Sequence, residues 1–338
     1  VQAIQLEKPE HFRIIDVPEP THPAPGEAVV RVHRVGICGT DFSGYLGKMP
    51  FFSYPRIPGH ELGIEVLAVG SDVENVQVGD RCSVEPYINC RKCYSCARGH
   101  TNCCENHQTL GVHCDGGLRS LFTVPARKLH VSRTLSFEQL ALVETLAIGC
   151  HAINRASPKP DEQILVIGAG PIGLSVVEFA KLSGARTIVM DINAQRLAFV
   201  RQQMGITDTI LANGEELKTF TEMTGGRLGN VVIDATGSNK SMANALNYVG
   251  FAGRLVFVGI TTQEISFGHP LMHRREMTLL ASRNALSADF SRIIKLIEDS
   301  KINTQPWITH RSQFTEMIAE FPTWLKPETG VVKAMVQI

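Results

Sequence analysis

Apolar positions recur in short runs through the first third of the chain, at residues 1–6, 12–17, 28–37, 63–69 and 81–84, and each run reads as a strand. Residues 118–125 and 128–131 continue the series. PAPGEA and VGSDVENVQVGDR, between the runs, carry the Gly, Pro, Asn and Asp that turns require. Many short strands joined in this way predict a partly closed β-barrel. Near Leu140 the pattern lengthens into a helical run. It ends at ASPKPDEQ, where Pro158 and Pro160 mark a crossing into a different texture.

From residue 164 strands and helices alternate. Strands are expected at 164–167, 187–190, 208–211, 230–234, 254–258 and 278–282, with helices near 194–204, 215–224 and 240–249 among the connections. Such alternation implies an α/β unit with a doubly wound parallel sheet, its ligand at the carboxyl ends of the strands. The last fifty or so residues leave the pattern. Residues 289–299 read as an amphipathic helix and 331–338 as a terminal strand, most naturally paired with the β-rich N-terminal region. The expected layout is therefore a barrel domain made of 1–150 and 287–338, with a nucleotide-binding domain, 151–286, inserted between its parts.

The stretch ILVIGAGPIGLSVVEFAKLSGARTIVMD fixes the chemistry of that inserted domain. An apolar strand meets Gly168-Ala169-Gly170-Pro171-Ile172-Gly173, and a helix follows. Gly168 permits the turn, Gly170 lets a pyrophosphate approach the backbone, and Gly173 allows close packing of helix on strand. The helix N-terminus presents N–H groups and a positive dipole end to phosphate. Asp191, at the end of the next strand, can accept both ribose hydroxyls and would repel a 2′-phosphate, which favours NAD over NADP. Arg196, on the helix after it, is a further cofactor-binding candidate.

Composition narrows the function classes. Thirty-three basic and thirty-three acidic residues cancel in a chain that is 43% hydrophobic. This leaves no electrostatic footprint for nucleic acid or an anionic membrane. No apolar stretch has transmembrane length, and VQAIQLEKPE does not resemble a secretory signal. Among nine cysteines, Cys90, Cys93, Cys96 and Cys104 have the spacing of a closed tetrahedral zinc site, with Cys103 competing as fourth ligand and an iron–sulfur cluster as the other compatible occupant. Thiols used in this way point to a reducing, cytoplasmic setting. A second site needs an open coordination position. Cys38 in GICGTD and His60 with Glu61 in PGHE are its candidates, although each alone also reads as an ordinary buried residue.

With these motifs assembled, the sequence resembles the zinc-dependent medium-chain dehydrogenase/reductase family over essentially its full length. The matching residues are GICGTD at 36–41, GHE at 59–61, VGDR at 78–81, the four cysteines, DGG at 115–117 and GAGPIG at 168–173. PFFSYPRIPGHE at 50–61 and ASRNA at 281–285 are similar to its polyol and sugar-acid branch. The resemblance implies a GroES-like barrel with an inserted Rossmann domain and two zinc ions per chain, one structural and one catalytic. It implies that Cys38, His60 and Glu144 hold the catalytic zinc, with Glu61 an adjacent carboxylate able to support or exchange with them. Asp41 would orient His60, and Thr40 would hydrogen-bond the substrate oxygen. The implied reaction carries hydride from a secondary hydroxyl of a polyol or sugar acid to NAD, in a homodimer or homotetramer.

The chain departs from the family pattern in three places. Ser43 stands where a histidine usually relays the alcohol proton, Thr145 where a proline often follows the ligand glutamate, and Leu118-Arg119-Ser120 where an aromatic and small polar residues are usual. For the substrate, Lys48, Arg56, Arg283 and Asn284 lie in the branch-like segments. A cation there could hold a carboxylate or phosphate, though each alone reads as a solvated loop residue or a cofactor contact. Phe51 and Phe52 read as pocket wall or plain core. An L-threonine 3-dehydrogenase is the competing enzyme. A non-catalytic NAD-binding protein that keeps only the structural zinc is the reading from another class.

Overall fold

In the computed structural model, which describes residues 1–338, the chain opens with an antiparallel pair, β1 (Gln2–Lys8) and β2 (His11–Asp16). It continues through β3 (Glu27–Ile37), helix α1 (Gly39–Tyr45), β4 (Glu61–Val69), β5 (Arg81–Val84) and β6 (Tyr87–Ile88). The cysteine-rich loop holds the one-turn helix α2 (Tyr94–Ala97) and leads to β7 (Gln108–Thr109), β8 (Leu121–Pro125), β9 (Leu129–Val131) and the long α3 (Phe137–Ala156). Then come β10 (Gln163–Ile167), α4 (Pro171–Leu182), β11 (Arg186–Asp191), α5 (Ala194–Met204), β12 (Thr209–Leu211) and α6 (Glu216–Met223). β13 (Gly229–Asp234), α7 (Asn239–Asn244), β14 (Val249–Phe257), α8 (His269–Arg274) and β15 (Thr278–Ala281) complete the alternating stretch. The chain ends with α9 (Ser287–Glu298), β16 (Ile308–Gln313), α10 (Met317–Trp324) and β17 (Lys333–Gln337).

Two units partition these elements, Val1–Thr145 with Leu286–Ile338, and Leu146–Ala285. In the first, a seven-stranded sheet runs β16-β17-β3-β4-β5-β9, with β8 also paired to β3. The terminal strand β17 lies antiparallel to β3, placing Ala334 opposite Ile37. β3 is the spine because its Val-rich alternation gives it a buried face along its length: Val30, Val32 and Val35 are at most 1% exposed. Leu62 and Ile64 of β4, Phe122 of β8, and Phe321 and Trp324 of α10 join the same core. Each such aliphatic side chain contributes about 1.5–3 kcal/mol on burial. This is the GroES-like barrel.

The second unit is a six-stranded sheet in the order β12-β11-β10-β13-β14-β15, parallel throughout. Its central strands carry continuous apolar runs, Ile164–Val166 and Val231–Ile233, all 0% exposed, as strands covered on both faces do. This is the Rossmann domain.

Some expectations shift. The units divide between Thr145 and Leu146, inside α3 and ahead of Pro158 and Pro160, five residues before the expected division at 150/151. β14 begins at Val249 rather than near residue 254. Its start contains Gly250, Gly253 and a positive φ of 54° at Ala252, a kinked segment between the expected helix near 240–249 and the expected strand at 254–258. β16 and α10 had no clear signal, and Pro322 inside α10 suppresses the helical reading.

Candidate metal centre and nucleotide site

Three elements of the barrel bring the first group of candidates together. β3 ends at Ile37, and Cys38 then caps α1 with φ −97° and ψ 161°. Asp41 returns an oxygen to the Cys38 N–H at 2.9 Å, which fixes the cysteine at the helix start. Gly59, at φ +98°, turns the chain so that His60 and Glu61 enter β4 from the same end. In the β3–β4 register Glu61 faces Gly36. The missing side chain matters, since a Cβ on Gly36 would stand 2.1 Å from Glu61 Oε2.

Donor atoms of Cys38, His60 and Glu61 all lie within 4.8 Å of one another. Glu144 is not part of this group. The expected ligand set was Cys38, His60 and Glu144; the compact donor group has Glu61 in the carboxylate place. Glu144, buried on α3, instead accepts a hydrogen bond at Oε1 from the hydroxyl of Tyr87. Glu61 is held from the other side. Lys333 donates to its Oε1 at 2.6 Å and to the carbonyl of Ile37 at 3.2 Å. Asp41 approaches His60 with Oδ1 3.9 Å from Nδ1, ion-pair range rather than a hydrogen bond. Thr40 lies on α1, half-buried, one residue before Asp41. Ser43 is also on α1 and half-buried.

The electrostatics of this group suit a cation. Burial disfavours a charged His60, yet the charges of Asp41, Cys38 and Glu144 raise its imidazole well above the ordinary histidine range. Burial raises Asp41, with His60 opposing it. Burial likewise raises Glu144, opposed by His60 and reinforced by Glu61. Lys333 is pulled down by burial but raised overall by Glu61 and Cys38. Burial, then Glu144, push the Tyr87 phenol well above its usual value. A pocket that holds protons this tightly has surplus negative charge, the condition under which a divalent metal binds. Glu61 Oε2, buried without a hydrogen-bond partner, supplies the unsatisfied oxygen such an ion would take up. One thiolate, one imidazole and one carboxylate form the donor set of an open zinc site. The residues fit the ion.

The second cysteine group is compact. Sγ atoms of Cys90, Cys93, Cys96 and Cys104 lie within 4.8 Å of one another. Cys104 is buried and Cys103 exposed, so Cys104 is the inward member of the Cys103–Cys104 pair. Backbone N–H groups point at the sulfurs, from Cys90 to Cys104 at 3.2 Å and from Cys93 to Cys90 at 3.4 Å. N–H donation from Lys92 and Cys93 lowers the Cys90 thiol to about 6. Asn89, 3.5 Å from Cys96 Sγ, lowers that thiol as well. Four sulfurs with no further donor make a closed site.

In the Rossmann unit the glycine-rich turn has the expected geometry. Gly168 has φ +98°, and a Cβ on Gly173 would meet the Gly168 carbonyl oxygen at 1.7 Å. Gly170 caps α4, with Pro171 at its first position. Asp191 accepts from Ala169 N at 2.6 Å and from Asn193 N at 2.7 Å, which fixes its carboxylate beside the turn. A cavity of about 1070 Å³ opens here, lined by Gly168, Gly170, Pro171, Ile172, Asp191 and Arg196 among others.

Several expected substrate contacts are engaged elsewhere. Arg56 pairs with Asp115 at 3.0 Å and donates to Ser53 at 2.7 Å. Arg119 lies over the Phe122 ring, 5.0 Å from its centroid, and is desolvated rather than a surface charge. Phe52 is buried while Phe51 is 58% exposed. Sequence reasoning missed two residues that hold the carboxylates beside this group, Tyr87 on Glu144 and Lys333 on Glu61. The signal for Lys333 was a single charge inside the apolar terminal strand, whereas Tyr87 in EPYIN carried none.

A barrel with a buried thiolate–imidazole–carboxylate group and a four-cysteine loop, in one chain with a dinucleotide-type parallel sheet, is the layout of a metal-dependent alcohol dehydrogenase. Residues 24–133 match the alcohol dehydrogenase GroES-like domain family, and residues 171–299 the zinc-binding dehydrogenase family. The chain is 38% identical over 319 residues to L-galactonate-5-dehydrogenase of Escherichia coli (strain K12), covering 93% of each chain. It is 32% identical over 327 residues to L-arabinitol 4-dehydrogenase of Aureobasidium melanogenum, covering 93% of this chain and 88% of that one. A crystal structure described as a short chain alcohol dehydrogenase (rspB) from E. coli CFT073, complexed with NADH, matches with a TM-score of 0.93 at 28% identity, over 100% of this chain and 99% of that one. The chain thus belongs to the zinc-dependent medium-chain dehydrogenase/reductase family, and it is an oxidoreductase of the zinc-type alcohol dehydrogenase kind. No helix is long and apolar enough to cross a membrane.

Proposed function

We propose that this enzyme oxidises a secondary hydroxyl of a polyol or sugar acid with NAD as the hydride acceptor. The observation that carries the reading is the convergence of Cys38, His60 and Glu61, with Glu61 Oε2 buried and unpartnered. Cys38, His60 and a carboxylate would hold a zinc ion, which when bound supplies Lewis-acid activation of the substrate hydroxyl. Asp41 fixes Cys38 through its N–H and sets the charge beside His60. Thr40 would hydrogen-bond the substrate oxygen, and Ser43 would pass its proton outward without storing it. On the other unit, Gly168, Gly170, Pro171, Ile172 and Gly173 would seat the pyrophosphate, with Arg196 alongside. Asp191 would take the ribose hydroxyls and disfavour a 2′-phosphate.

Cys90, Cys93, Cys96 and Cys104 would hold the second, structural zinc. None of the nine cysteines is in a disulfide, which supports a cytoplasmic setting. A homodimer or homotetramer is part of the reading. β15 is an edge strand, and Phe251 at 66% and Leu279 at 37% exposure offer apolar surface for a second copy.

The test is turnover by the two-zinc protein across polyols, aldonates, L-threonine and simple primary alcohols, with NAD and NADP in parallel. Reduction of NAD by a polyol or aldonate is expected. Turnover of L-threonine or primary alcohols alone would overturn the substrate class, and a preference for NADP the cofactor. One zinc per chain and no turnover would favour the binding-protein reading.

A further inference from the structure

Two buried carboxylates, Glu61 and Glu144, compete for the neighbourhood of His60, and a different donor holds each. Glu61, opposite the side-chain-free Gly36, is gripped at Oε1 by Lys333 and leaves Oε2 without a partner. Glu144 is capped at Oε1 by the Tyr87 hydroxyl. The Tyr87 ring, 2% exposed, is wedged against His107 with centroids 6.1 Å apart and edge-on to Phe290 at 6.2 Å, so the hydroxyl has little freedom to swing away. Only Glu61 stands with Cys38 and His60 inside the 4.8 Å group.

We propose that Tyr87 is a positioning residue whose hydroxyl holds the Glu144 carboxylate outside the Cys38–His60–Glu61 donor set. The inference rests on the reading of that set as a metal centre. Its consequence is chemical. A thiolate and one carboxylate balance the charge of a divalent ion, whereas a second carboxylate would leave the site anionic and occupy the position a substrate oxygen needs. Tyr87 thereby keeps Glu144 buried and nearby, but not bound.

The test uses the full-length protein with cadmium-113 in both sites. Wild type should give two resonances, one at the all-sulfur end from the four-cysteine loop and one far upfield from the one-sulfur site. In Tyr87→Phe the first stays and the second moves further upfield as an added oxygen donor shields the ion. Tyr87→Phe/Glu144→Gln should return it to the wild-type position, and Glu144→Gln alone should move it far less than Tyr87→Phe does. The single variants decide the matter independently of how well Tyr87→Phe folds. Glu61→Gln should lower bound zinc from two ions towards one, and Glu144→Gln should keep two. An unmoved resonance in Tyr87→Phe, a shift that Glu144→Gln fails to reverse, or loss of one zinc in Glu144→Gln would each overturn the proposal while leaving the metal centre intact. A wild type without the one-sulfur resonance would defeat the metal reading itself, and this proposal with it.

Discussion

Lys333 Nζ lies 2.6 Å from Glu61 Oε1, and each side chain is only 1% exposed. The pair joins the last strand of the chain to the mouth of β4, and strand pairing sets it, because Ala334 sits opposite Ile37 at the end of β3. A buried ion pair is costly to form and more costly to break, since the surviving partner is left as an uncompensated charge.

Lys333→Met is therefore expected to destabilise the protein by about 3–5 kcal/mol, while Lys333→Met/Glu61→Gln should cost clearly less than the two single changes summed. Urea midpoints of the four proteins measure this. Strict additivity would mean that the pair does not act as a unit.

The four-cysteine loop predicts an asymmetry between adjacent residues. Cys104 is buried within the sulfur group and Cys103 is exposed outside it. Cys103→Ser should leave zinc content and thermal midpoint unchanged. Cys104→Ser should release one zinc and lower the midpoint, because a closed metal site contributes directly to folding. Equal losses from both substitutions would mean that the two cysteines exchange as ligands.

Asp191 carries two loads, the N–H groups of Ala169 and Asn193 and the proposed discrimination against a 2′-phosphate. Asp191→Asn keeps an oxygen for the backbone and removes the charge. The ratio of kcat/KM with NAD to that with NADP should fall at least about 10-fold, matching roughly 1.4 kcal/mol of lost discrimination. An unchanged ratio with a large loss of stability would show that the carboxylate only supports the turn.

Much of this arrangement is legible in the sequence, for reasons that differ by residue. Gly168, Gly173 and Asp191 sit in a short motif where spacing fixes local geometry, and so do the four cysteines, whereas Cys38 and His60 were candidates of weight only through the family resemblance. The parallel strands carried continuous apolar runs that admit few other readings. That Glu61 rather than Glu144 lies within 4.8 Å of the Cys38 and His60 donor atoms was not legible. It depends on Gly36 facing one carboxylate across a strand pair and on Lys333, nearly three hundred residues from Gly36, reaching the same point. Tyr87 is invisible for the same reason, since a hydroxyl meeting a helix carboxylate is a fact of tertiary packing. β14 was misplaced because its kinked, glycine-bearing start lacks the period-two pattern that marks a strand.

A second buried charge cluster predicts how stability responds to acid. Glu85 accepts a hydrogen bond from Lys128 and lies 3.4 Å from His130 Nε2, with His130 stacked on Phe290 at 5.0 Å and Arg127 and Tyr87 within electrostatic reach. Burial opposes ionisation of Glu85, but the hydrogen bond from His130 and the Lys128 charge outweigh it and hold the carboxyl below its ordinary 4.5. A carboxyl whose folded pKa lies below its unfolded one stabilises the fold above the unfolded value and loses that contribution as pH falls through the folded value. Lys128 is lowered by burial from 10.5 and stays charged throughout this acid range, so it adds no slope there. Glu85→Gln strands that lysine and should cost about 3–5 kcal/mol near neutrality. The gap between wild type and Glu85→Gln, read from urea midpoints at successive pH values, should stay level down to about 4.5 and narrow below it. A gap of constant size to about pH 3, well below the ordinary carboxylate range, would mean that Glu85 titrates alike in both states and that the cluster does not hold its charge.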